Sequence, residues 1–321
     1  MSGSHDATEP ELVLRVRRRE ALTAEVVLLE LVSADGGPLP DWTPGAHIDL
    51  VLPGLIRQYS LCGDPSDRTA YCVAVFLEPE SRGGSSYIHA SVNEGDEITV
   101  RGPRNHFEFK PADRVLFIAG GIGITPLIPM VREAQAAGVD WELHYGGRSR
   151  STMAFLDNLE EACGNSSMTL HPQDEVGLID LQRLLGTPRS DTVVYCCGPG
   201  PLLDAVEAMC ESWPKGSLHV ERFTAKTIED RVDTEFELEL ATSGKTLFIP
   251  ADRTILDVLD DENVIVASSC RDGTCGTCEA VVLEGIPDHR DSVLSAEEQE
   301  LNETMMVCVS RSRTPRLVID L

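Results

Sequence analysis

Cys270, Cys275 and Cys278 form a C-x4-C-x2-C run, and 29 residues separate Cys278 from a fourth cysteine, Cys308. That spacing matches the thiolate set of a plant-type [2Fe-2S] cluster, in which one short loop supplies three sulfurs and a distant turn the fourth. Gly273 and Gly276 inside the run allow the tight backbone needed to aim N–H groups at sulfur. Structural zinc is usually held by two short cysteine knuckles, which this run lacks; a non-enzymatic zinc-binding interaction module is the rival reading from another class. No C-x-H pair occurs, so a Rieske centre is not expected. Cys62, Cys72, Cys163, Cys196 and Cys210 have no ligand spacing and read as small buried hydrophobes.

The remaining sequence must surround that module with something larger. A chain of 321 residues exceeds one ordinary domain and implies two or three. A formal charge of -26 sets it against nucleic acid and anionic membrane surfaces. Half of that charge lies in residues 229–321, where 21 acidic side chains meet 8 basic ones. So acidic a tail module suits a basic docking partner. The start, Met1 to Pro10, has no apolar stretch of the secretory kind, and ten cysteines without one suggest metal ligation or reduced thiols in the cytoplasm. The longest uncharged stretch, Val115 to Val131, has 17 residues broken by glycine and proline, and is too short to span a membrane.

Along the chain the hydrophobic grain changes twice. Residues 11–104 alternate as short strands, as in Leu12 to Val16 and Tyr71 to Phe76, with turns at Ala34 to Pro38 and Asn93 to Asp96. Such spacing predicts a small antiparallel barrel. From Asp113 the pattern becomes strand and helix in alternation: strands at Val115–Ala119, Trp141–Tyr145 and Asp191–Cys196, helices at Pro126–Ala137, Phe155–Ala162 and Pro201–Glu211. Those are βαβ units and imply a parallel sheet. Ala225 to Thr234 reads as a connecting segment. Glu235–Leu240 and 245–250 then read as a hairpin, and Ile255–Asp261 as a short helix. The expected division is 1–107, 108–226, a linker at 227–234, and 235–321.

Gly120-Gly121-Ile122-Gly123-Ile124-Thr125-Pro126 follows a strand and opens a helix, the setting in which glycines admit a diphosphate to a helix N-terminus. Cys197-Gly198-Pro199 follows the last predicted strand of the parallel sheet, at the edge where ligands gather. Arg57-Gln58-Tyr59-Ser60 ends a barrel strand and offers a phosphate partner, a ring to stack and a hydroxyl. Gly83-Gly84-Ser85-Ser86 could cradle a phosphate through its N–H groups. Each of these short motifs, taken singly, is also compatible with an ordinary turn or core role.

Taken together and in this order, and with His219-Val220-Glu221-Arg222-Phe223, they resemble the phthalate dioxygenase reductase and vanillate demethylase reductase family of the ferredoxin–NADP reductase superfamily. The resemblance covers essentially the whole chain. It implies a multidomain fold: an antiparallel β-barrel for flavin, an α/β parallel-sheet nucleotide domain, and an α+β (β-grasp) ferredoxin domain. It implies FMN held by Arg57 and by Gly83, Gly84, Ser85 and Ser86, with Tyr59 on the ring, Ser60 near N5, and Thr125 and Phe223 at its border. Gln58, Val73, Ala74 and Val75 complete the flavin-binding candidates. Gly120, Gly121, Gly123, Cys197, Gly198 and Pro199 are the dinucleotide candidates, with Cys197 near the nicotinamide and Glu221 shaping that pocket. The catalytic candidates are thus Tyr59, Ser60, Cys197 and Glu221, and the metal ligands Cys270, Cys275, Cys278 and Cys308.

The implied activity is hydride transfer from NADH to FMN, followed by single-electron transfer through [2Fe-2S] to an oxygenase component. Arg148 and Ser149, after the second parallel strand, could instead contact a 2′-phosphate, which leaves NADPH open. The acceptor is expected to be a Rieske aromatic oxygenase, with a cytochrome P450 as the alternative, and the chain is expected to be a monomer.

Overall fold

The computed structural model describes residues 11–110, 112–163, 167–226 and 233–321. Most of the expected linker, 227–232, and the side chain of Cys163 lie outside the described residues. The chain divides into two compact units, 1–221 and 222–321. Among the described residues, no helix is long and apolar enough to cross a membrane.

The first unit opens with a six-stranded antiparallel sheet. Its strands are β1 (Glu11–Ala21), β2 (Val26–Ser33), β3 (His47–Leu52), β4 (Leu55–Ser60), β5 (Ala70–Phe76) and β6 (Glu97–Arg104), in the order β4-β3-β6-β1-β2-β5. The sheet curls until its edges meet: Leu61, just past β4, bridges Val73 of β5. The closed barrel packs Leu14, Leu29, Leu31, Ile48, Leu50, Tyr71, Val73 and Val75 inside. Alternation of the pleat puts those residues on one face. A single helix, α1 (Gly84–Ser91), sits between β5 and β6 and adds Ile88 to that core.

A five-stranded parallel sheet follows: β7 (Arg114–Gly120), β8 (Asp140–Gly147), β9 (Met168–Pro172), β10 (Thr192–Cys197) and β11 (Leu218–Glu221), ordered β11-β10-β7-β8-β9. Its helices are α2 (Ile124–Ala136), α3 (Leu156–Cys163), α4 (Gln173–Val176), α5 (Leu181–Leu185) and α6 (Gly200–Cys210). Helix α2 begins at Ile124, two residues before the expected Pro126, because proline is accepted within a first helical turn. Strand β9 escaped the sequence pattern because its residues Met-Thr-Leu-His-Pro lack an apolar run. The strand order turns back between β7 and β10, and ligand crevices of open α/β sheets form at such a reversal. Phe107 and Phe109, on the way out of the barrel, pack on Phe117 and Tyr195 of this sheet. Burying two phenylalanines contributes roughly 3–6 kcal/mol, and it fuses barrel and parallel sheet into one unit.

The second unit is α+β. Strands β12 (Phe236–Leu240) and β13 (Lys245–Ile249) form the expected hairpin, and α7 (Ile255–Asp261) follows, its N-terminus closed by a Thr254–Asp257 capping box. Then come β14 (Glu279–Glu284), β15 (Pro287–Asp288), α8 (Ala296–Leu301), β16 (Thr304–Met306), β17 (Arg311–Ser312) and β18 (Arg316–Ile319). The main sheet runs β13-β12-β18-β14-β16, with β12 and β18 parallel. Leu238, Leu240, Ile249, Ile255, Leu259 and Leu317 form its core, which Cys278 and Cys308 join from one end.

Candidate functional site

The four cysteines come together at that end. Cys270, Cys275 and Cys278 occupy the loop from α7 to β14, and Cys308 the turn after β16. Their thiols lie close enough to perturb one another, Cys270 with Cys275 and Cys308, and Cys308 with Cys278. That proximity holds Cys270 and Cys278 below the usual thiol range and pushes Cys275 and Cys308 above it. The surroundings fit a sulfur-ligated cluster. The N–H groups of Asp272 and Thr274 donate to Cys270 Sγ at 3.4 Å, and Thr277 Oγ1 donates to Cys275 Sγ at 3.2 Å. Gly273 has φ +77, and a Cβ there would meet Val309 Cγ2 at 2.7 Å and Asp291 Cα at 3.1 Å. The loop is thus seated directly on a neighbouring turn. Asp291 was not legible as part of this site. Its buried carboxylate accepts from the N–H groups of Val293 and Leu294 and from Ser310 Oγ, pinning the turn beneath Gly273.

A second assembly lies in the first unit, where β4 meets the parallel sheet. Ser60 Oγ donates to Glu221 Oε2 at 3.2 Å, joining residues 161 positions apart. Glu221 ends β11 and pairs in register with Cys197 of β10. Burial pushes the Glu221 carboxyl up to about 8, an effect that the Ser60 hydroxyl partly offsets. Burial first, and then Glu221, hold the Cys197 thiol far above its ordinary range, so it is a neutral packing surface. Thr125 is buried near the start of α2 and donates to Ile122 O at 2.9 Å.

The glycine turn after β7 and the Cys197-Gly198-Pro199 turn after β10 interlock. A Cβ at Gly123 would fall 2.3 Å from Cys197 O, and one at Gly120 2.7 Å from Pro199 Cδ. Only Gly121, at φ +54, has open space around its missing Cβ. Two of the three glycines thus serve contact between turns, and the third is required by its positive φ.

Arg57 runs along the start of α1. Its Nη1 donates to Ile56 O at 2.8 Å and its Nη2 to Arg82 O at 3.0 Å, and a Cβ on Gly84 would meet Arg57 Cγ at 2.5 Å. Gly83 begins the helix at φ +95. Ser81, which the sequence did not single out, organises this loop. Its Oγ accepts from the N–H groups of Gly83 and Ser86, at 3.1 and 3.4 Å, and from Ser85 Oγ at 3.0 Å. An arginine lying on a helix N-terminus is a pairing that favours a phosphate dianion. Tyr59 packs on the barrel core, and its burial pushes the phenol pKa up. Val73 and Val75 point into that core while Ala74 faces the parallel-sheet side; Gln58 is half-buried. Phe223 belongs to the second unit and is exposed. Cys62, Cys196 and Cys210 are buried as expected, and Cys72 only half so.

Residues 238–313 match the 2Fe-2S iron-sulfur cluster binding domain family. Over 98% of its length the chain is 43% identical to phenoxybenzoate dioxygenase subunit beta of Ectopseudomonas oleovorans, covering 99% of that protein. A solved phthalate dioxygenase reductase, a modular structure for electron transfer from pyridine nucleotides to [2Fe-2S], superposes with a TM-score of 0.70 at 38% identity. That match covers 97% of this chain and 98% of the other. The chain belongs to the phthalate dioxygenase reductase and vanillate O-demethylase reductase family. It is an oxidoreductase whose C-terminal unit is a [2Fe-2S] ferredoxin-type domain. An intact type IV self-sufficient cytochrome P450 monooxygenase superposes with a TM-score of 0.92 at 42% identity over 100% of this chain, which spans 43% of that longer protein.

Proposed function

We propose that the chain is the reductase component of a multicomponent oxygenase, taking a hydride from NADH and delivering electrons one at a time to a Rieske-type aromatic oxygenase or demethylase. The flavin barrel is 1–107, the nucleotide domain 108–226, and the cluster domain 235–321. The observation that carries the reading is the convergence of Cys270, Cys275, Cys278 and Cys308, with N–H groups already aimed at Cys270.

When bound, FMN accepts electrons in pairs or singly and the [2Fe-2S] cluster accepts them singly, which reconciles a two-electron donor with a one-electron acceptor. The protein supplies placement. Arg57 and the N–H groups at the start of α1 would hold the FMN phosphate, with Ser81 setting the loop. Tyr59 would lie on the flavin ring. Ser60 would stand at the ring nitrogen and, through its hydroxyl, reach the proton held on Glu221. Cys197, neutral and buried, would pack on the nicotinamide. The interlocked glycine turns would border the diphosphate. The four cysteines would hold the iron.

The test is Cys275→Ser in the full chain. NADH-driven reduction of cytochrome c, a one-electron acceptor, should fall to background while ferricyanide reduction by the flavin survives. Loss of both activities with flavin retained would refute the linear path. A cytochrome P450 is the second reading for the acceptor, favoured by the structural match to the self-sufficient cytochrome P450 monooxygenase. Reconstitution with a Rieske oxygenase and with a P450, separately, decides between them. The proposed solution state is a monomer in the cytoplasm, to be checked by sedimentation and by fractionation.

A further inference from the structure

In an open α/β sheet the adenosine ribose lies beyond the C-terminal end of the second strand, where an acidic residue suits a 2′-hydroxyl and arginine suits a 2′-phosphate. That strand here is β8, and the turn after it carries Arg148 and Arg150. Both arginines are engaged by carboxylates. Arg148 Nη2 donates to Glu25 Oε2, from the β1–β2 hairpin 123 positions earlier. Arg150 Nε donates to both oxygens of Glu175, at 3.0 and 3.1 Å.

Glu175 stands in α4, immediately past the end of β9, which runs parallel to β8 with Gly147 opposite Pro172. Asp174 is tied to the same spot, its N–H donating to Arg148 O at 3.2 Å. The Ser149 hydroxyl is taken up within its own turn, 2.9 Å from Ser151 Oγ. Each guanidinium is therefore paired with a carboxylate, and Asp174 adds a third acid where its backbone meets Arg148, a local balance of one negative charge. A 2′-phosphate would bring nearly two more negative charges and would have to displace an ion pair to reach either arginine. A 2′-hydroxyl meets no such repulsion and can donate to a carboxylate.

We propose that Glu25 and Glu175 select the coenzyme, admitting NADH and rejecting the 2′-phosphate of NADPH. The proposal rests on the reading of the chain as a pyridine-nucleotide reductase. Half-exposed ion pairs add little to stability. Their effect here is on specificity: they keep the arginines occupied and leave a net negative field where the extra phosphate would sit.

The experiment compares the full-length holoprotein with Glu25→Gln, Glu175→Gln and the double variant. Calorimetry measures the affinities for 5′-AMP and 2′,5′-ADP, and steady-state kinetics the NADPH-to-NADH ratio of kcat/KM. Wild type should favour 5′-AMP and NADH. Removing each carboxylate should shift both ratios toward the phosphorylated ligand by about tenfold. Adding Arg148→Ala and Arg150→Ala to the double variant should cancel the gain. Unchanged ratios, or a wild type that prefers 2′,5′-ADP, would overturn the proposal. Should the variants fold poorly, wild type alone gives the answer. Salt should raise the affinity for 2′,5′-ADP relative to 5′-AMP if the field is repulsive, and a fall with salt would refute it. Wild type reduced by neither dinucleotide would overturn the reductase reading together with this one, whereas reduction by NADH with unmoved ratios overturns the specificity claim alone.

Discussion

Replacing Glu221 by glutamine should change how stability depends on pH. The residue is half-buried at the end of β11, and desolvation of its carboxyl lifts it from 4.5 to about 8. The folded protein therefore binds a proton that the unfolded chain releases between those two values. Stability attributable to the neutral side chain is fully present below about 4.5 and is lost progressively as pH rises toward 8. Each pH unit in the window is worth about 1.4 kcal/mol, so the whole span amounts to roughly 5 kcal/mol. Glutamine keeps the shape and can still accept the hydrogen bond from Ser60, but it carries no titrating proton. Urea unfolding of the two holoproteins, followed through the flavin signal from pH 5 to 9, should give curves that diverge: wild type loses stability relative to Glu221→Gln by about 1.4 kcal/mol per unit until near pH 8, then runs parallel. Curves that stay parallel throughout would refute the assignment of a neutral buried acid. A wild type that gains stability relative to the variant as pH rises would reverse its sign.

Further outcomes follow from the same geometry. Gly123→Ala drives a Cβ to within 2.3 Å of the Cys197 carbonyl oxygen, backbone that has no room to yield. It should cost about 2–4 kcal/mol in thermal unfolding and weaken binding of 5′-AMP. Arg57→Ala removes the guanidinium lying along Gly84 and should weaken FMN binding by on the order of tenfold to a hundredfold, read by flavin fluorescence on dilution. If the acidic C-terminal unit docks a basic partner, the coupled transfer rate should fall steeply with added salt, while NADH-driven ferricyanide reduction responds far less.

What the sequence disclosed was whatever depends on near neighbours. The C-x4-C-x2-C run, the strand–glycine–helix passage at 120–126, and the hairpin at 235–249 are local patterns with local causes, and each appears where its spacing predicts. What it withheld depends on closure of the fold. Nothing near Ser60 announces a carboxyl 161 residues away, and nothing around Arg148 announces Glu25 in a barrel hairpin. The support beneath the cluster loop was equally hidden, because Asp291 is one acid among many in a strongly acidic segment and matters only through the turn it pins. Gly120 and Gly123 show a third kind of miss. Their presence was legible, but the sequence suggested room for a ligand where much of the demand comes from the adjoining turn.

That adjoining turn has a consequence for anyone recombining these enzymes. Because the peptide groups of residues 123 and 197 touch with no side chain between them, neither turn can be exchanged without its counterpart. A chimera that imports one relative's β7 turn while keeping another's β10 turn inherits two halves of a fitted joint cut by different hands. Crossovers placed outside 114–221 carry the joint across whole.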